Sequence, residues 1–171
     1  MIEECCDRGH LPADVIEGET VLCPKSDNPI RRPLDNRPIT LLNCDYKLLM
    51  TLLTARLNPH MGEVVHSHQT GFIPGRYIGD NVILIRDLLQ WKSAQQQPAM
   101  VVFCDFEKAY DRVRWRWMWR VLTRLGIQGR FLNLVRMAYT APFAQLTLES
   151  YPLGLLRPTR GVRQGCPLSP L

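Results

Sequence analysis

No run of about 18 or more apolar residues occurs in these 171 residues, so the sequence offers no membrane-spanning helix. The opening decapeptide, MIEECCDRGH, is acidic and has no apolar stretch. It does not read as a secretory signal, and an intracellular chain is expected. The six cysteines, at positions 5, 6, 23, 44, 104 and 166, form no CxxC pair and mostly sit inside apolar runs. Reduced thiols are expected rather than a disulfide framework. Cys5, Cys6 and His10 lack the second ligand pair that a tetrahedral zinc site needs. No internal repeat is visible, and the only biased run is SAQQQP at 93–98.

Acidic residues are scarce in one part only. Residues 105–171 hold 4 Asp/Glu against 11 Lys/Arg, a net charge of +7, whereas residues 1–104 hold 12 against 10, a net of −2. Ten of those 11 bases are arginine, whose rigid fork suits phosphate. A polyanion partner, nucleic acid first among them, fits this asymmetry. A solvated cationic helix face fits it too, and charge alone does not separate the two. With 46% hydrophobic residues, the chain has core enough for one domain or part of a larger one.

The pattern predicts an α+β fold with helices packed on a small sheet. Thr20–Cys23 reads as a short strand, and residues 20–38, with four prolines, as loop-rich. Leu49, Leu53 and Leu57 recur at helical spacing within 45–58, with Asp45 as a possible N-cap. Residues 69–81 are a glycine-rich loop. Asp80 or Asn81 then caps a helix to about Gln95, whose apolar face is Val82, Ile85, Leu88 and Leu89. Met100–Phe106 is a buried strand by its Val and Phe content. A helix starts at Asp111 or Arg112 and ends at Leu125, with Gly126 at C′. Another spans 129–139. AQLTLES and GLLRPTR read as a hairpin turning near Pro152–Gly154.

Four places could carry chemistry. Asp105 closes the apolar run Val101–Cys104, and a carboxylate at a strand tip suits Mg²⁺, which takes few protein oxygens and keeps water or phosphate. It could equally end the strand and cap a turn, with Asp111 capping the next helix. Tyr110 could pack beneath a bound group or be plain core. In RGVRQGCPLSP, two glycines flank Arg163 and Gln164, and the amide could read a base or a sugar, or simply face solvent in a tight turn. Lys25, Arg31, Arg32 and Arg37 could embrace a triphosphate or form a solvated basic loop.

Taken in order, CPKSDNPIRRPLDNRPITLLNCDYKLL, RLNPHMGEVVHSHQTGFIPGRYIGDN, CDFEKAYDRVRW and RGVRQGCPLSPL resemble the reverse transcriptase domain of non-LTR (LINE-type) retrotransposons, close to group II intron maturases. The resemblance runs from about Cys5 to Leu171. It implies a right-hand polymerase: fingers over residues 1–97 and the first part of an antiparallel palm sheet over 98–171. It implies that Asp105 is a metal-binding and catalytic aspartate, with the Phe106 carbonyl a further ligand. Tyr110 falls on the aromatic gate that crowds a ribose 2′-OH. Gln164 and Gly165 match the segment along the incoming nucleotide, and Arg37 the arginine that holds its triphosphate, assisted by Lys25 or Arg31. Gln69, Gly71, Phe72 and Arg76 match a segment tied to template handling. The implied partners are an RNA template, a DNA primer and a dNTP, with two Mg²⁺ ions. The chain stops at Leu171, before the family's aromatic-Ala-Asp-Asp hairpin. The expectation is therefore a fragment inactive by itself, holding Mg²⁺ weakly or not at all, or alternatively a nucleic-acid-binding remnant without catalysis.

Overall fold

The computed structural model describes residues 2–24, 36–148 and 151–171. Lys25, Arg31 and Arg32 lie outside the described residues. In chain order the elements are α1 (Ile2–Arg8), α2 (Ala13–Ile16), β1 (Gly18–Pro24), β2 (Asn36–Leu42), α3 (Cys44–Val64), α4 (Gly79–Ala94), α5 (Ala109–Arg112), α6 (Trp115–Arg124), α7 (Gly129–Met137), β3 (Ala144–Leu148) and β4 (Tyr151–Leu156). They form two compact units, one of Met1–Thr54 with Lys108–Ser169 and one of Ala55–Glu107 with Pro170–Leu171.

The first unit holds a four-stranded sheet in the order β2-β1-β3-β4. Its outer pairs are antiparallel, Gly18 facing Leu42 and Ala144 facing Leu156, but β1 and β3 run parallel. The α+β expectation holds, with a mixed rather than wholly antiparallel sheet. β2 was not foreseen, because Pro38 and the flanking prolines read as loop. Its place at a sheet edge is where a proline is tolerated. The β3–β4 hairpin forms, yet Pro152 and Gly154 lie inside β4 rather than in the turn. β4 is the other edge, and a register shift between Leu146 and Thr147 absorbs the irregularity.

The helices of this unit share one core, which reaches the sheet at Leu42. Tyr46, Met50 and Leu53 of α3 are almost fully buried, beside Leu134, Val135 and Ala138. Each such large side chain contributes roughly 1.5–3 kcal/mol by leaving water. The cap of α3 is Asn43, not Asp45: the Asp45 N–H donates to Asn43 Oδ1 at 2.8 Å. The helix continues through Pro59 to Val64, past the expected end, with Leu57 and Met61 buried along it. The helix expected from Asp111 to Leu125 is broken at Val113–Arg114. The Tyr110 and Val113 carbonyls are taken instead by the N–H groups of Val162 and Gly161, at 2.8 and 2.7 Å. At the other end, Gly126 and Ile127 donate to the carbonyls of Thr123 and Leu122, a Schellman closure at the expected residue.

The second unit contains the end of α3, a loop and α4. α4 begins at Gly79, ahead of the expected caps Asp80 and Asn81, and has no side-chain cap. None of its residues is buried, so the stripe Val82, Ile85, Leu88 and Leu89 does not face a core here. Met100–Phe106 forms no strand, and Phe103 and Phe106 are each 82% exposed. All four described strands pair among themselves, and this run has no ladder partner. Its β-branched and aromatic composition specifies a preference for a pleated surface, not the strand to pair with.

Candidate functional site

Three distant segments are stitched together in the first unit by backbone atoms. The Thr40 N–H of β2 donates to the Gln164 carbonyl at 3.1 Å. Val162 and Gly161 bind the α5 turn as described, and the Trp115 indole N–H donates to the Gly161 carbonyl at 2.7 Å. The stitch depends on two glycines. A Cβ on Gly165 would lie 2.7 Å from the Thr40 carbonyl oxygen, and one on Gly161 would lie 3.1 Å from backbone atoms of Tyr110 and Asp111. Both have positive φ, +107° and +89°, which L side chains rarely adopt.

Side chains converge on the same framework. Gln164 Nε2 donates to Asp111 Oδ1 at 3.3 Å. One amide hydrogen is thereby committed, leaving the Oε1 acceptor and the other hydrogen for a further partner. Asp111 therefore orients Gln164, and it caps neither α5 nor α6. Tyr110, half-buried, sits one residue before it. Lys108 opens α5 with φ 54° and ψ 47°, a left-handed conformation costly for a side chain of this size. Arg37 is exposed on β2, three residues before the Thr40 tie. A cavity of about 240 Å³ opens between these parts, lined by Thr20, Thr40, Asp111, Trp115, Arg160 and Gln164 among others.

Below this surface the arrangement is tightly packed. The Arg163 guanidinium lies 5.1 Å from the centre of the Tyr46 ring. Among the described residues its two terminal nitrogens are shielded from solvent and have no hydrogen-bond partner, and the ring face contributes a cation–π attraction. Burial pushes the Tyr46 phenol well above the ordinary tyrosine range, with Cys166 adding to the rise and Arg163 opposing it. Burial also raises Tyr139, which packs at 5.6 Å against both Trp115 and Trp119.

The residues matched to template handling lie in the second unit. Arg76 donates to four backbone carbonyls, those of Gly62 and Val65 at 2.9 and 3.0 Å and those of His66 and Gln69 at 2.7 Å each. A guanidinium thus closes the C-terminal end of α3, where cations are favoured. Asn81 ties the loop further, donating to the Thr70 hydroxyl at 2.9 Å and the His68 carbonyl at 3.2 Å. The resulting loop presents Gln69, adjoins Gly71, and holds Phe72 67% exposed at φ 61°. Asp105 is exposed, on a segment without regular structure rather than at a strand tip. Among the described residues, no three His, Cys, Asp or Glu side chains group to hold a metal ion.

What the sequence missed were the partners: Asp111 for Gln164, Thr40 for the Gln164–Gly165 backbone, and Trp115 for Gly161. Asp111 reads as a helix cap in its own segment, and Thr40 and Trp115 carry no functional signal in theirs. Only the juxtaposition of segments gives each its role.

An arginine on an edge strand, a half-buried aromatic on a short helical turn and an oriented Gln-Gly loop thus share one scaffold. The chain belongs to the family described as reverse transcriptase (RNA-dependent DNA polymerase), whose profile matches residues 23–171. Relatives it matches are proteins of a transposon and of retrotransposable elements. It is 32% identical over 169 residues to the transposon TX1 uncharacterized 149 kDa protein of Xenopus laevis, covering 99% of this chain and 13% of that protein. It is 28% identical over 163 residues to the Pol polyprotein of the type-2 element R2DM of Drosophila melanogaster, covering 95% of this chain and 15% of that one. A type-1 element R2 polyprotein of Popillia japonica is 32% identical over 168 residues, with 23% of its length spanned. The chain thus spans well under a quarter of the first two relatives. Among the described residues, no helix is long and apolar enough to cross a membrane.

Proposed function

We propose that this chain is the fingers-like part (residues 1–97) and the first palm segment (98–171) of an intracellular RNA-directed DNA polymerase, one that extends a DNA primer along an RNA template. What supports this reading above all is the oriented amide: Gln164 bonded to Asp111 on a loop tied both to β2 and to the turn bearing Tyr110. In this reading Arg37, with Lys25 or Arg31, binds the dNTP triphosphate through charge-assisted hydrogen bonds. Gln164 and Gly165 lie along the nucleotide, and the Tyr110 ring excludes a ribose 2′-OH. Gln69, Gly71, Phe72 and Arg76 serve the template, with the exposed Phe72 ring as its contact and Arg76 as the brace of the loop. Asp105 and the Phe106 carbonyl are two of the oxygens toward Mg²⁺, an ion that would neutralise developing charge on the phosphates. The chain's own contribution is positioning and charge complementarity.

Primer extension on an RNA template, by this chain and by any longer protein that carries it, tests the reading. Tyr110→Ala should raise ribonucleotide incorporation relative to deoxynucleotide, and Asp105→Asn should abolish extension while template binding persists. Extension by Asp105→Asn at the wild-type rate would remove Asp105 from the reading. Binding without extension by any form would favour the non-catalytic alternative.

A further inference from the structure

The outer face of α6 carries an unusual row of charge. This helix, WRWMWRVLTR, contains no acidic residue. Trp115, Met118, Trp119 and Leu122 pack against the core. Arg116, Arg120 and Arg124 recur at i, i+4 and i+8, and all three are exposed, as is Trp117 at 62%. None of the three arginines lies within ion-pair distance of a carboxylate among the described residues. Helix physics disfavours this arrangement. Like charges at i, i+4 repel, and Arg116 sits in the first turn, where the helix dipole repels cations. A solvated face would more readily interleave acids, as Arg8 with Glu4 does on α1.

We propose that this ridge is a second nucleic-acid surface, which binds single-stranded RNA or DNA by its phosphates and stacks a base on Trp117. It lies across α6 from Trp115, which lines the cavity, so it is separate from the nucleotide site. Three features select this partner. The cations are all arginine, the side chain whose fork matches phosphate. An exposed indole beside a cationic row is the equipment of single-strand binding. The apolar half of α6 is already spent in the core, so it has no face to sink into a lipid surface.

The test is fluorescence anisotropy of the 171-residue chain with a labelled oligouridylate of about 20 nucleotides, across a KCl series. Replacing Arg116, Arg120 and Arg124 by Gln keeps helix propensity, and circular dichroism checks that the fold survives. The slope of log K against log salt should become shallower by about 2, from roughly 0.7 for each of three phosphate contacts. Trp117→Ala should weaken binding about tenfold, through lost stacking. Arg8→Gln and Arg86→Gln, which remove arginines paired with Glu4 and Asp87, should leave the slope unchanged. An unchanged slope in the folded triple variant would overturn the proposal. So would an equal loss in the paired-arginine controls, or binding to phosphatidylserine vesicles in place of RNA. Primer extension is not read, so a chain without polymerase activity leaves this test intact.

Discussion

Replacing Gly165 by Ala attacks the site through its scaffold. The new Cβ would stand 2.7 Å from the Thr40 carbonyl oxygen, closer than such atoms come. Ordinary contact begins near about 3.5 Å, so the loop and β2 must separate by more than roughly half an ångström. That stretches the Thr40 N–H to Gln164 carbonyl bond, 3.1 Å at rest, beyond useful length. The backbone at φ +107° adds strain that any side chain must bear. Strain of about 1–3 kcal/mol and a lost hydrogen bond of about 1 kcal/mol together give a destabilisation of about 2–4 kcal/mol. For a chain of this size that lowers the thermal midpoint by on the order of 10 °C. Scanning calorimetry measures it. Gly62→Ala is the control of opposite sign: this glycine is inside α3 with nothing within 4 Å of its Cβ position, so alanine should stabilise by about 0.5–1 kcal/mol. A Gly165→Ala midpoint within about 2 °C of wild type would refute the docking of this loop on β2.

Three further outcomes follow from the same geometry. Asp111→Ala should lower the thermal midpoint by only about 3–6 °C yet lower kcat/KM for dNTP about tenfold in primer extension, since a hydrogen bond to a charged group is worth about 1.5 kcal/mol; unchanged kinetics would separate Asp111 from Gln164 function. Folded Tyr46 and Tyr139 hold their protons above the unfolded value of 10.0, so their stabilisation is complete below that pH and is lost as pH rises beyond it. Denaturant midpoints should accordingly fall above pH 10, by up to about 1.4 kcal/mol per pH unit for each phenol, and Tyr46→Phe should flatten the fall. Arg76→Met should expose the 65–78 loop to limited proteolysis at a cost of about 2–3 kcal/mol, because four carbonyls lose one cationic donor; wild-type resistance would argue against the brace.

Much of the local structure was legible because its causes are local. Gly126 closes α6 as a glycine at C′ should, and the Leu49, Leu53, Leu57 spacing marks the buried side of α3. The exceptions have tertiary causes. Asp111 looked like a helix cap because Asp before an amphipathic run usually is one. Loop 161–164 instead takes the carbonyls that would have continued the helix, and Gln164 takes the carboxylate. Met100–Phe106 reads as a strand, but a strand needs a neighbour and the described residues offer none. Arg76 entered only through its match to a segment tied to template handling, and nothing local announced that its terminal nitrogens donate to four backbone carbonyls. The family resemblance was legible from motif order, which survives even where the elements between motifs are misread.

The stitch joining β2, α5 and the Gln164 loop is made almost entirely of main-chain donors and acceptors. Such a joint constrains conformation rather than chemical identity, so nearly every side chain around it can be exchanged without loosening it. Gly161 and Gly165 are the exceptions, and Trp115 contributes a side-chain tie to the loop backbone. A lineage could therefore drift as far as the 32% identity separating this chain from its Xenopus laevis relative and still inherit the same joint. Mutational tolerance of the site should accordingly be lowest at two residues that carry no functional group at all.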